Sequence, residues 1–596
     1  MNRERMSTRT LSRSWFINAL GEHPSRILLF AQIIFFVCII LLYLYLLSVR
    51  LYIPLPSALY WVSVVTAILS VIFQVINLPP SNDFKLLLFE VIVLSFSLDL
   101  TFLIPLYGFG ETDSYLGMIF TRKIVESNYL PTASLEYPVS LVFWPTIEIW
   151  AAELHHVTSI SVFSIAKWLP SIVIHSLFVL VSYSFVKKIF EDQRIALLST
   201  LLLSTVQIAF QYSSKFHYEN YGQVILMTGL LLIALRGKDK GVAYSILILL
   251  CLAAAIFAHH FTSLVMVIFL AIQFVVTRIT SSPRGVILLG TKSRDSRMFV
   301  TIELVAFAIV AVFSYWLYIY TWPLIVMVRW GLTILHGDPT STLGQLGYGL
   351  PQTWLFLRGQ IIYWGFILFH VVFAFILLSD VLFRRRGKIT EFYTLACLFY
   401  ACALLSFIQV YVRTTTTSLN HFRLIAWGWF FGVAPIVVAV VKGNPRLGRN
   451  VGMLLLVGFM IFNVYEMDNT SRDTQTARRE WGDITLMEDY TLAKTVTLTE
   501  YGTAFHRTKL AIWDVQGLLW TDLTSVTADQ IDTLDWIVIK KKELARYIAV
   551  GSYDAYGQFP VEPWKLNTLG KLIKGQSSER NKVYESTNLQ VFRSRY

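Results

Sequence analysis

Two carboxylates two residues apart, in Glu111-Thr112-Asp113-Ser114-Tyr115, stand directly after the third long apolar run of the chain. At the mouth of a membrane bundle such groups are costly to desolvate, so they call for a water-filled cavity, a cation or a reacting partner. A carboxylate held partly dry has its pKa raised and can take a proton from a hydroxyl. Hard cations prefer such oxygens, which makes Glu111 and Asp113 the candidate metal pair, although two carboxylates alone do not make a site. A plainer role is also open to them: capping the helix that follows, with Asp113 favoured by the positive end of its dipole.

The neighbouring residues support a site at a membrane surface. Tyr115 to Val125 places Leu116, Ile119, Phe120, Ile124 and Val125 among Arg122, Lys123 and Glu126, the pattern of a helix lying along an interface. Tyr129-Leu130-Pro131 ends it, and Leu135-Glu136-Tyr137-Pro138 opens a second interfacial stretch. Val139 to Glu153 reads as a short interfacial helix or a re-entrant piece. Further along, Lys215-Phe216-His217-Tyr218-Glu219 and His259-His260 form a second constellation. Adjacent histidines on a helix point roughly 100° apart, so joint ligation of one metal is rare. Hydrogen bonding to sugar or phosphate is the functional alternative to histidines satisfied by water and backbone. His155-His156 and His336 carry a weaker signal of the same kind.

The elements that must position these groups are apolar runs. They fall at about 27–49, 57–77, 86–107, 168–186, 195–213, 221–235, 242–258, 261–277, 300–320, 359–380, 392–412, 424–441 and 451–467. Crossing a hydrocarbon core takes roughly 20 residues, so the expectation is an α-helical multi-pass bundle of about 13 transmembrane helices over residues 27–467. Residues 1–26 carry five arginines and lead straight into the first run, as a basic cytoplasmic segment before a retained anchor. Placing the N-terminus inside puts 24 of the 33 basic residues before position 468 on the cytoplasmic side. That positive-inside bias, with an odd helix count, predicts an outer C-terminus. The net charge of +12 therefore reports topology and not nucleic acid, because residues 468–596 hold 17 basic and 17 acidic side chains. Seven of the eleven histidines fall on the expected outer side, where 108–167 is the longest loop. All four cysteines sit inside apolar runs and suggest small packing residues.

Two intramembrane acids stand apart. Asp99 is costly at roughly 2.5–3.5 kcal/mol on insertion scales, so it needs a partner, as a proton relay or in a helix–helix hydrogen bond. Glu90, nine residues earlier, lies on the opposite helix face and cannot pair with it. After Met467 hydropathy falls, and a small extracytoplasmic α/β domain over 468–596 is expected. Its strand-like runs are 494–498, 509–515, 535–540, 582–585 and 589–592.

An N-in bundle, Glu111-x-Asp113 in the first long outer loop, an amphipathic helix after it and Tyr137-Pro138 some 25 residues on resemble the GT-C class of integral-membrane glycosyltransferases. That class includes oligosaccharyltransferases, protein mannosyltransferases and lipid A aminoarabinose transferases. The resemblance spans roughly 27–467 with one departure: the acidic motif usually follows the first helix, and here it follows the third. It implies transfer of a sugar, with inversion, from a polyprenyl-phosphate carrier to a glycan, lipid or protein acceptor on the outer face of a cell membrane. By the class pattern Asp113 is the base, with Glu111 assisting or helping to bind a divalent cation, Mg or Mn. The leaving phosphate needs positive charge, and arginine can hold it bidentately. Arg413 and Arg423, at the outer ends of two helices, come first, then Arg358 and Lys215. His217, His259, His260 and Tyr137 complete the expected substrate-binding set. Each arginine, taken singly, also fits headgroup snorkelling. A transporter or lipid flippase would carry matching Gly/Pro-broken helices in two halves, which the chain does not show. A glycan polymerase or ligase would share the lipid-linked donor but carry essential arginines in a large outer loop.

Overall fold

The computed structural model describes residues 24–51, 55–77, 84–104, 112–130, 143–209, 216–236, 241–282, 300–321, 354–383, 390–412, 421–442 and 449–464, a few single positions between them, and five strands nearer the C-terminus. In their described residues, all thirteen apolar runs fall on helices. In chain order the helices are α1 Pro24–Arg50, α2 Ser57–Asn77, α3 Lys85–Leu103, α4 Thr112–Ser127, α5 Thr146–Thr158 and α6 Val162–Phe190. Then come α7 Gln193–Ala209, α8 Tyr218–Arg236, α9 Val242–Ala258, α10 His260–Ser281, α11 Ile302–Tyr318, α12 Trp354–Phe383, α13 Thr390–Val412, α14 His421–Val441 and α15 Arg449–Val464.

By length and composition, five helices among the described residues can cross a membrane: Ile27–Val49, Ser57–Asn77, Val162–Phe190, His260–Ser281 and Leu424–Val441. Six more are apolar but shorter. Their outward faces are apolar too. On α1, Leu29, Ile33, Ile40, Leu44 and Leu47 are exposed while Phe35, Ile39, Leu42 and Leu46 are buried. An apolar stripe outside and another inside is what a lipid-facing helix requires. α14 is buried along nearly its whole length, with Pro435 inside it, and forms the heart of the core with Phe269, Phe373 and Phe399 around Phe431 and Trp429.

The run predicted at 168–186 starts earlier, at Val162. The Ser161 hydroxyl caps it, accepting from the Ser164 N–H at 3.1 Å. Pro170 opens a π-helical turn, Pro170–His175, inside α6. Inside the bundle, the Gln74 Nε2 of α2 donates to the Glu90 Oε2 of α3 at 2.8 Å, so the Glu90 partner is an amide on a neighbouring helix. Asp99 is fully buried farther along α3.

Towards the C-terminus, β1 Val496–Thr499, β2 Leu519–Thr521, β3 Trp536–Lys540, β4 Arg580–Glu585 and β5 Leu589–Ser594 form one mixed sheet of order β2-β1-β3-β5-β4. β1 runs parallel to β2 and β3, and β5 antiparallel to β3 and β4. The predicted run 509–515 lies outside the described residues, and β2 is a strand the hydropathy pattern did not mark.

Candidate functional site

The helix that carries the acidic motif forms as expected and somewhat longer, Thr112–Ser127 against a predicted 115–125. Its buried residues, among those described, are Ser114, Gly117, Met118, Phe120, Thr121 and Ile124. Arg122 and Lys123 lie outside, pairing with Glu126 at 2.8 and 3.0 Å. Asn128, at φ 56°, turns left-handed and stops it, donating its N–H to the Ile124 carbonyl at 2.8 Å. Asp113 is the second residue of α4. Its side chain, Glu111, Tyr137, Lys215 and Arg413 lie outside the described residues, as do the side chains of Arg358 on α12 and Arg423 on α14.

Three other segments converge on α4. The Ser114 hydroxyl accepts from the Phe216 N–H at 3.0 Å, tying the first turn of α4 to the residues that open α8. One turn on, Gly117 permits a close approach: a Cβ there would meet the Phe216 ring at 3.1 Å and Glu148 Oε1 at 3.3 Å. Residues four apart share a helix face, so the Glu148 carboxyl lies against α4 one turn beyond Asp113. Glu148 is fully buried on α5, and among the described residues no other residue hydrogen-bonds its carboxyl oxygens. Burial pushes its carboxyl up to about 8, with its own main-chain N–H partly opposing. The group therefore holds its proton at neutral pH.

The second cluster is aromatic. His217, His259 and His260 come together around Tyr218 and Trp144. Ring centroids lie 3.8 Å apart for His217 and Tyr218, 5.0 Å for Tyr218 and His259, 4.7 Å for His259 and His260, and 4.4 Å for Trp144 and His260. The two adjacent histidines are not both helical, as the sequence reading assumed. His259 is extended, at φ −165° and ψ 127°, and separates α9 from α10. Its Nδ1 lies 2.9 Å from the Thr262 hydroxyl. The crossing helix makes room at Gly222, where a Cβ would sit 2.7 Å from that hydroxyl oxygen. His217 Nδ1 accepts from the Glu219 N–H at 3.2 Å, fixing the opening turn of α8. Two hydroxyls then hold the segment that carries Trp144 and Glu148. Thr146 donates to the Phe257 carbonyl at 2.7 Å, and Tyr315 to the Phe143 carbonyl at 2.8 Å.

His155 turns back on its own loop, its Nδ1 2.7 Å from the Ile160 carbonyl, and stays outside this cluster. His336 lies outside the described residues. Among the described residues no group of three or more His, Cys, Asp and Glu side chains stands ready for a metal ion. The sequence reading missed Glu148 and Trp144. A lone acid in the first turn of a helix looks like a dipole partner, and nothing in the sequence marks its burial.

The raised Glu148 pKa makes a stability prediction. Between about pH 4.5 and 8 the folded protein keeps a proton that the unfolded chain has released. That contribution is complete below the ordinary carboxyl range and lost as pH rises through about 8. Glu148→Gln should stay folded and flatten this part of the profile. Thermal unfolding in detergent at pH 5 and pH 9 checks it, and an equal loss in both proteins would remove Glu148 as the cause.

In overall shape the chain is similar to the crystal structure of the Archaeoglobus fulgidus oligosaccharyltransferase in the apo form. Identity is 12%, with a TM-score of 0.46 over 78% of this chain and 71% of that one. The same enzyme in complex with Zn and sulfate gives 12% identity and a TM-score of 0.45 over 77% and 69%. No protein family and no curated protein matches the sequence.

Proposed function

We propose that the protein is an inverting membrane glycosyltransferase of the GT-C kind, moving a sugar from a polyprenyl-phosphate carrier to an acceptor on the outer face of a membrane. The observation that carries this reading is the convergence on α4. The turn bearing Asp113 is tied to the start of α8 and packed against a proton-holding carboxyl, and a histidine–aromatic cluster adjoins it. In the proposed reaction the acceptor hydroxyl gives its proton to Asp113 as its oxygen attacks the anomeric carbon. The bond from that carbon to the phosphate oxygen breaks, and its electron pair leaves with the polyprenyl phosphate. Arg413 and Arg423 as first candidates, and Arg358 and Lys215 after them, stabilise the departing charge. His217, His259, His260 and Tyr137 present hydrogen-bonding groups to the sugar. A divalent cation, Mg or Mn, would take oxygens from Glu111 and Asp113 as a hard-ion site. The defining assay is release of polyprenyl phosphate from a synthetic polyprenyl-phosphate sugar by the purified protein. Failure across common hexosyl and pentosyl donors would refute the reading.

The same proposal includes thirteen spans, a cytoplasmic N-terminus and an outer α/β domain built on the five-stranded sheet. Reporter fusions after Met467 should be active only outside. Cytoplasmic reporter activity would overturn both the orientation and the outward-facing site.

A further inference from the structure

α4 and α5 lie side by side and run in the same direction. Gly117 faces Glu148, and farther along Phe120 and Ile124 pack with Ala152. Tyr129 comes five residues after Ile124 and Val157 five after Ala152, so the two helices end level. Each is stopped by a left-handed residue, Asn128 at φ 56° and Ser159 at φ 58°. Around these stops large apolar side chains turn outward. Tyr129 is 66% exposed, Leu130 45%, Val157 81% and Ile160 50%.

A turn open to water can leave its main-chain groups to solvent; here they are satisfied from within. The Tyr129 N–H reaches the Ser127 hydroxyl at 3.4 Å, and the Ile160 N–H the Thr158 hydroxyl at 3.3 Å. The Tyr129 carbonyl lies 3.0 Å from the Ser127 hydroxyl, and the Ile160 carbonyl 2.7 Å from His155 Nδ1. Main chain that meets lipid must be satisfied internally in this way. The location agrees. Ile160 stands two residues ahead of α6, Val162–Phe190, a helix long and apolar enough to cross a membrane. At 1.5 Å per residue its 29 residues measure about 43 Å against a hydrocarbon core of roughly 30 Å, so its ends reach headgroup level. Exposed Ile172, Leu177 and Leu180 continue the apolar surface down the same helix.

We infer that the level ends of α4 and α5 form a lipid-contacting tip beside the start of α6. Tyr129, Leu130, Val157 and Ile160 enter the boundary between headgroups and acyl chains. Tyrosine suits that depth, with an apolar ring and a hydroxyl that stays wet. The tip fastens to the membrane the helix pair that carries Asp113 and Glu148. The inference requires that the chain lie in a membrane, and does not depend on the reaction proposed above.

Photolabelling of the full-length protein tests it, in phosphatidylcholine vesicles containing a phosphatidylcholine with a diazirine near the glycerol end of one acyl chain. Proteolysis and mass spectrometry then locate lipid adducts by residue. Exposed Leu29, Ile33 and Ile40 of α1 give the reference for lipid contact. Both turns should be labelled to within a few-fold of α1. The variant V157S/I160S changes only exposed side chains. It should lower the yield at 156–160 several-fold and leave that of α1 unchanged. Label on α1 with none at either turn would overturn the inference, whether water or a second copy of the chain meets the tip. A yield at 156–160 unchanged in the serine variant would overturn it too. An unlabelled α1 would sink the membrane reading itself, and the tip with it.

Discussion

Asp113→Asn should lower glycosyl transfer by about 10²–10⁴-fold, the usual contribution of a general base, while the protein remains folded in its membrane. Asparagine keeps the shape and a hydrogen-bonding group but cannot accept a proton at neutral pH. If Asp113 served as a helix cap, asparagine would be nearly as good and transfer would survive. The position of Asp113 in the first turn of α4 sharpens the comparison, since both roles are open to a residue there. Turnover of a polyprenyl-phosphate sugar by the two purified proteins, alongside their melting curves, decides it. Near-native transfer by the asparagine variant would leave the glycosyltransferase reading without its best residue.

The second large effect concerns the leaving group. Arg413→Ala or Arg423→Ala should weaken binding of the lipid-linked donor about ten- to a hundredfold, since a charge-assisted hydrogen bond is worth roughly 1.5–3 kcal/mol. The fold should be untouched, because each residue lies at or beyond a helix end, Arg413 after Val412 and Arg423 in the first turn of α14. Donor affinity by equilibrium binding is the readout. Unchanged affinity in both variants would transfer the role to Arg358 or Lys215. An arginine that merely reaches a lipid headgroup gives the same null result singly, so both must be tested.

The helices were legible because apolar runs long enough to span lipid have few other uses, and the described residues of every such run lie on a helix. The helix after the acidic motif was legible from its charge pattern, with Arg122, Lys123 and Glu126 on its exposed face. What stayed hidden depends on contacts between distant segments. The run predicted from residue 168 begins at Val162, because the Ser161 cap lies ahead of the apolar stretch, and it carries a π-turn at Pro170–His175. His259 looks helical by its neighbours, yet the close crossing at Gly222 and the Thr262 hydroxyl fit an extended residue there. Glu148 is indistinguishable in sequence from the exposed Glu153 on the same helix, and what separates them is burial under Gly117 and Phe216.

The two hydroxyls that fasten the Trp144–Glu148 segment have an unequal evolutionary consequence. Both give their protons to main-chain oxygens, those of Phe143 and Phe257. Every residue carries a carbonyl, so the accepting positions can change identity through drift without loosening the attachment, provided their rings are replaced by something that packs. The donors have no such freedom. A single atom lost from Tyr315, as in phenylalanine, or an isosteric valine at Thr146 removes the tether outright. Sequence variation around this site should therefore be lopsided, permissive at 143 and 257 and restrictive at 146 and 315.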